Sequence, residues 1–164
     1  MGSLDADIRI RPADPGEEDV VLDLLSDAAE WLRARGIDQW PRRFPLESVA
    51  GQIASREALL AVRNGEPVAT VCVAESDAEL WGPAAAPAYY VSRLAVARSA
   101  AGLGVRILAW IEAQAAGTGR RYVRLATARH NPALRAYYER AGYRHVTDPP
   151  HAKWPTSLYE RTIA

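Results

Sequence analysis

NPALRAYYERAGY, residues 131–143, is the stretch from which the fold of this chain is read. Asn131 suits a helix N-cap and Pro132 the first helical position. Leu134 and Tyr138 are four residues apart and share a face of that helix. Gly142 ends it, because glycine takes the left-handed conformation there at no steric cost. The doublet Tyr137-Tyr138 straddles two faces, so one ring can pack inward while the other borders a cleft.

Upstream, Ala101-Gly102-Leu103-Gly104 opens a second helix soon after an apolar strand. Glycines let a backbone approach a ligand closely. The first-turn N–H groups lack partners within the helix, and its dipole favours an anion. The segment therefore reads as a phosphate cradle or as a tight strand-to-helix turn. A dinucleotide fingerprint is not formed, since position 107 is Ile rather than Gly and no acidic residue follows at about 20 positions. The Gly-Lys-Ser/Thr of a Walker loop is absent.

The rest of the chain supplies alternating elements. DIRIR (7–11) alternates as a strand. Asp14-Pro15-Gly16-Glu17 reads as a capping box with proline at the first helical position. The helix that follows has Val20, Val21, Leu24, Leu25, Ala28, Trp31 and Leu32 at helical spacing, and Gly36 stops it. A proline-bounded loop (36–45) leads to a short helix over 46–55. Strands over 57–63 and 67–75 flank Asn64-Gly65, a two-residue hairpin signal. Residues 77–88 read as a loop, and 88–96 (AYYVSRLAV) as a strand. The helix over 102–116 carries Val105, Leu108, Ile111, Glu112 and Ala115 along one side. Strands are expected over 121–126, 143–147 and 158–163, with a loop over 151–155. The order is β-α-α-β-β-β-α-β-α-β-β, an α/β single domain over 1–164 with a mixed sheet of about seven strands.

Composition narrows the function. Lys+Arg and Asp+Glu number 20 each among 164 residues, so no net charge argues for nucleic acid or an anionic membrane. Cys72 is the only cysteine, which excludes an internal disulfide and a Cys-type metal cluster. His130, His145 and His151 lack ligand spacing, so no metal is expected. No leader and no apolar run of membrane-spanning length is read, which makes the cytoplasm the expected location.

Leu94–Tyr143 together resembles the GNAT superfamily of acetyl-CoA-dependent N-acetyltransferases. The resemblance rests on the strand LAV (94–96) with its glycine loop and helix, and on the Asn-x-x-Leu-x-x-Tyr-Tyr-Glu-x-x-Gly-Tyr helix. WLRARGIDQWP (31–41) looks like the N-terminal region of an uncharacterised bacterial branch of the family. The resemblance implies acetyl-CoA as cosubstrate and acyl transfer to an amine. It implies that backbone groups of Leu94, Ala95 and Val96 hold the acetyl-pantetheine arm. N–H groups of Ala101, Gly102, Leu103, Gly104 and Val105 would hold the pyrophosphate. Asn131 would contact the pantetheine, and Tyr138 would face the thioester sulfur as general acid. Dimers are common in the family, so a homodimer is implied by analogy.

Two departures stand out. Ser99 occupies the place where the family's loop has Gln or Arg, with Arg98 just before it as a substitute phosphate contact. Residues 88–96 contain no Asp or Glu, so no strand carboxylate is available as base. Glu75, Asp77, Glu79, Asp27 and Glu30 remain candidates for it.

On the acceptor side the expected residues are Trp31, Trp40, Phe44 and Glu75, with Trp154 nearby. Without an acidic cluster, a small amine or an amino-acid-like acceptor fits better than a polycation. The competing reading is a non-catalytic acyl-CoA-binding or sensing module with the same fold.

Overall fold

A computed structural model describes residues 2–82 and 86–163. Residues 83–85, within the loop expected over 77–88, lie outside the described residues. Eight strands hydrogen-bond in the order β1-β2-β3-β4-β5-β6-β8-β7 among the described residues. They are β1 (Gly2–Asp5), β2 (Ile8–Pro12), β3 (Ala58–Arg63), β4 (Glu66–Ala74), β5 (Ala88–Val96), β6 (Tyr122–Ala128), β7 (Arg144–Thr147) and β8 (Thr156–Thr162). The helices are α1 (Glu18–Arg33), α2 (Leu46–Ala54), α3 (Ala78–Trp81), α4 (Leu103–Gly117) and α5 (Pro132–Arg140). The sheet is mixed: β5 and β6 run parallel, whereas β1–β2, β2–β3, β3–β4, β6–β8 and β7–β8 are antiparallel pairs.

The chain packs as two compact units, Met1–Val73 with Arg93–Ile107, and Ala74–Ser92 with Leu108–Ala164. In the first unit α1 and α2 bury Val21, Leu22, Leu25, Val49 and Ile53 in one core with Ala58, Leu60, Cys72 and Ala95 of the strands. The Asn64-Gly65 hairpin forms as the dipeptide dictates, with φ of +52° and +78° at its two residues. In the second unit Leu108, Ile111 and Ala115 of α4 are buried, as are Val123 and Leu125 of β6 and Leu158 and Tyr159 of β8. Glu160, also buried, is held there by Arg124 at 3.0 Å and Arg144 at 2.5 Å.

The structure corrects several sequence expectations. The eighth strand is β1, whose GSLD carries no alternating pattern. It forms through backbone pairing with β2, which needs no side-chain signal. The loop after β4 contains the one-turn α3, capped where Asp77 Oδ1 accepts the Leu80 N–H at 3.3 Å. Pro15 is not the first residue of α1. Gly16 has φ +100°, which no helix tolerates, so Asp14–Glu17 is a turn and the helix starts at Glu18. Half of the expected capping box survives, since the Glu17 carboxylate accepts the Asp14 N–H at 2.8 Å. The buried face of α1 is rotated by about one residue, with Leu22 and Ala29 inside and Trp31 exposed. On α4, Val105 is likewise exposed, while Leu103 and Ile107 are buried.

Candidate active site

In the first unit the decisive backbone feature is Arg93, which has φ +52° inside β5. That conformation is rare for an L-residue. It breaks the regular strand just before Leu94–Val96. Ala95 is buried in the core, whereas Leu94 and Val96 are half-buried. After the Ala97 N–H donates to Val68 O at 2.8 Å, Arg98–Ala100 makes a single 3-10 turn. Arg63 holds this turn by donating to the Ser99 carbonyl at 3.2 Å.

Gly102 then takes φ +93°, and α4 begins at Leu103 rather than at Gly102. A Cβ at Gly102 would meet nothing within 4 Å, so the loop has open space at that point. The unbonded first-turn N–H groups of α4 and its dipole make this turn suited to an anion. The residues therefore fit the pyrophosphate that the sequence reading assigns to Ala101, Gly102, Leu103, Gly104 and Val105.

Two residues with different expected partners meet each other. The Arg98 guanidinium lies 4.1 Å from the Trp31 ring centroid, and Arg35, one helical turn after Trp31, lies 3.8 Å from it. Trp40 and Phe44 come together edge to face at 5.9 Å, as an aromatic wall requires. Phe44 also carries Arg93, whose guanidinium lies 4.0 Å from the ring centroid. Arg93 Nη1 donates to Gln52 Oε1 at 2.9 Å and Nη2 to Ser48 Oγ at 2.8 Å. Cys72 Sγ donates to the same Gln52 oxygen at 3.1 Å. Burial pulls the Arg93 pKa down and pushes the Cys72 thiol up to about 12.

The sequence reading missed Arg93, Ser48 and Gln52. No residue pattern announces a positive φ at an arginine, and its partners on α2 are 41 and 45 residues away.

In the second unit, α5 forms as the opening stretch dictates. Asn131 Oδ1 accepts the Leu134 N–H at 3.1 Å, Pro132 is the first helical residue, and Gly142 ends the turn with φ +96°. Tyr138 is buried at 8% exposure, its ring edge-on to Tyr137 at 5.3 Å and to Tyr143 at 6.1 Å. Tyr137, the other member of the doublet, is only half-buried. Burial, then the neighbouring Tyr137, raises the Tyr138 pKa above the usual tyrosine value. Tyr143 is engaged, donating to Glu112 Oε2 at 2.8 Å.

Thr127 near the end of β6 has a buried Oγ1 without a hydrogen-bond partner among the described residues. An orphaned hydroxyl of this kind is costly unless something outside the chain meets it.

Glu75 forms an ion pair with Arg120, whose guanidinium lies 4.0 Å from the Tyr89 ring centroid. Asp77 is committed to capping α3. Trp154 is 77% exposed. No group of three His, Cys, Asp or Glu among the described residues is arranged to hold a metal. Nor is any helix among them long and apolar enough to cross a membrane.

Comparison with known proteins bears on this geometry. The family model described as "Acetyltransferase (GNAT) family" matches residues 23–143. An N-acetyltransferase of Bacillus subtilis, YesJ, is 32% identical over 142 residues, covering 80% of this chain and 79% of its own. A GNAT-family acetyltransferase structure from Listeria monocytogenes superposes with a TM-score of 0.80 at 23% identity, covering 94% of each chain. The PaiA N-acetyltransferase of Thermoplasma acidophilum, solved with coenzyme A, superposes with a TM-score of 0.65 at 16% identity, covering 96% of this chain and 99% of its own.

Proposed function

The chain belongs to the GNAT acetyltransferase family, and from that premise we propose that it moves an acetyl group to the primary amine of a small molecule by direct attack, with Tyr138 as general acid. Membership makes it an acetyl-CoA-dependent N-acetyltransferase. The acid assignment is carried by Tyr138: its ring is buried on a helix fixed at both ends, and its hydroxyl bonds to no described residue.

Acetyl-CoA, when bound, supplies an activated acetyl thioester. The turn from Ala101 to Val105 receives the pyrophosphate through backbone N–H groups. Backbone groups of Leu94, Ala95 and Val96 align the arm, and an N–H beside the irregular Arg93 faces the carbonyl oxygen that gains charge. The amine lone pair forms the new bond to the acetyl carbon. The carbon–sulfur bond breaks, and its electron pair goes to sulfur. Tyr138 donates its proton to that sulfur and regains one from water, while the amine's surplus proton leaves to solvent. The phenol is already protonated at neutral pH with an ordinary pKa of about 10, and it stays so when burial raises that pKa. Asn131 holds α5, and therefore Tyr138, in place. We assign the reaction to the cytoplasm.

Turnover of Tyr138→Phe, measured alongside its acetyl-CoA affinity, tests this. A loss of roughly 10²-fold or more in kcat with retained affinity is expected, and Tyr137→Phe should turn over normally. Undiminished turnover in Tyr138→Phe would overturn the assignment.

A further inference from the structure

Arg93 has a side-chain environment that the acetyl transfer itself leaves unexplained. Its backbone has φ +52° within a strand, and strain of this kind concentrates at ligand sites. Its side chain is half-buried, and the partners it meets among the described residues are neutral: Gln52, Ser48 and the Phe44 ring. A guanidinium has five N–H donors, so two hydrogen bonds leave three without an acceptor among the described residues. Half-burying a charge without a counter-charge is unfavourable, and the usual resolution is an anionic partner.

The surroundings aim this charge rather than neutralise it. Gln52 Oε1 accepts from both Cys72 and Arg93, which fixes the amide with its oxygen toward the guanidinium. Ser48 pins the second nitrogen, and Phe44 supports the guanidinium through its ring face. The planar fork held this way matches a carboxylate in two-point geometry. Arg93 directly precedes Leu94–Val96, where the acetyl arm is placed, and Trp40 stands against Phe44 to flank an apolar body.

We infer that Arg93 binds a carboxylate on the acceptor, so that the acceptors are amino acids or other small amines bearing a carboxylate. This rests on the reading that the chain acetylates a small primary amine.

Matched acceptor pairs test it: phenylalanine against phenethylamine, alanine against ethylamine, and phosphoethanolamine as the phosphate-bearing control, followed by thiol release from acetyl-CoA. The native chain should favour the carboxylate member by roughly 10- to 100-fold in kcat/KM. In Arg93→Gln the ratio should fall towards one. In Arg93→Lys, which keeps the charge but loses the fork, it should fall part of the way. Thermal stabilisation by CoA shows that each variant is folded. If Arg93→Gln does not fold, the reduced ratio in Arg93→Lys carries the test.

Turnover with no carboxylate preference, a preference that survives in the variants, or a preference for the phosphate-bearing amine would overturn the inference while leaving acetyl transfer to amines intact. If no amine is acetylated, that broader reading fails, and binding decides the role of Arg93. N-acetylphenylalanine should then stabilise the native chain in the presence of CoA and not Arg93→Gln. Equal stabilisation of both, or of neither, would overturn the inference.

Discussion

Asn131 Oδ1 accepts the backbone N–H of Leu134 at 3.1 Å, and this bond sets where α5 begins. The same side chain is 5% exposed, so its replacement removes a buried partner as well as a cap. Asn131→Ala should destabilise the chain by roughly 1–2 kcal/mol, read from denaturant unfolding. Asn131→Ser should recover most of that, because serine caps almost as well. If Asn131 also contacts the pantetheine arm, Asn131→Ser will keep a raised KM for acetyl-CoA despite restored stability. Full recovery of both would limit Asn131 to capping.

Thr127 gives a prediction of the opposite sign. Its buried hydroxyl has no partner among the described residues, so Thr127→Val removes an unsatisfied group at little cost in shape. The ligand-free protein should gain on the order of 1 kcal/mol in unfolding free energy. If the hydroxyl serves a bound ligand, CoA will stabilise Thr127→Val less than the native chain. A less stable variant without CoA would show that the orphan reading is wrong.

Gly102 has φ +93° and open space where a Cβ would stand. Gly102→Ala therefore meets no clash, and its penalty comes from backbone strain of roughly 1–3 kcal/mol. Should the loop relax to avoid that strain, the N–H groups at the start of α4 lose their aim and KM for acetyl-CoA rises. Kinetics together with thermal unfolding separate the two responses. A variant matching the native chain in both would show that the turn does not need glycine.

Cys72 provides a pH test. Burial holds its folded pKa at about 12 against an ordinary 9.0. The folded state thus keeps a proton that the unfolded state loses. This contribution to stability is complete below pH 9.0 and disappears as pH rises towards about 12. Tyr137, Tyr138 and Tyr143 shift in the same direction from 10.0, so alkaline destabilisation should steepen above that pH. At pH 8.5 a disulfide reagent should leave the native thiol unmodified and label it on unfolding. Rapid labelling of the folded chain would contradict the burial.

Glu17 titrates at the other end of the scale. The Arg11 guanidinium, bonded to it at 2.7 and 2.9 Å, holds its pKa down at about 2 from an ordinary 4.5. A depressed carboxyl contributes stability above pH 4.5 that is lost as pH falls to about 2. Glu17→Gln should remove that part of the acid dependence and cost roughly 1 kcal/mol near neutrality, measured by urea unfolding across pH.

What the sequence determined by itself is local. The ends of α5, the Asn64-Gly65 hairpin and the need for glycine at 102 and 142 follow from short-range backbone sterics and capping. Those forces act within a few residues, so the residue order shows them. Local pattern failed wherever a backbone partner supplied the order, as at β1, or where the buried face of a helix was chosen by its neighbours, as on α1.

Tertiary structure alone decided the rest. It set Arg98 beside Trp31, made Tyr138 more deeply buried than Tyr137, and joined Arg93 to Phe44, Ser48 and Gln52. Burial and charge pairing depend on which side chains share space after the chain has closed on itself. At separations of 41 to 67 positions, that is set by packing of the whole core and not by any spacing in the chain.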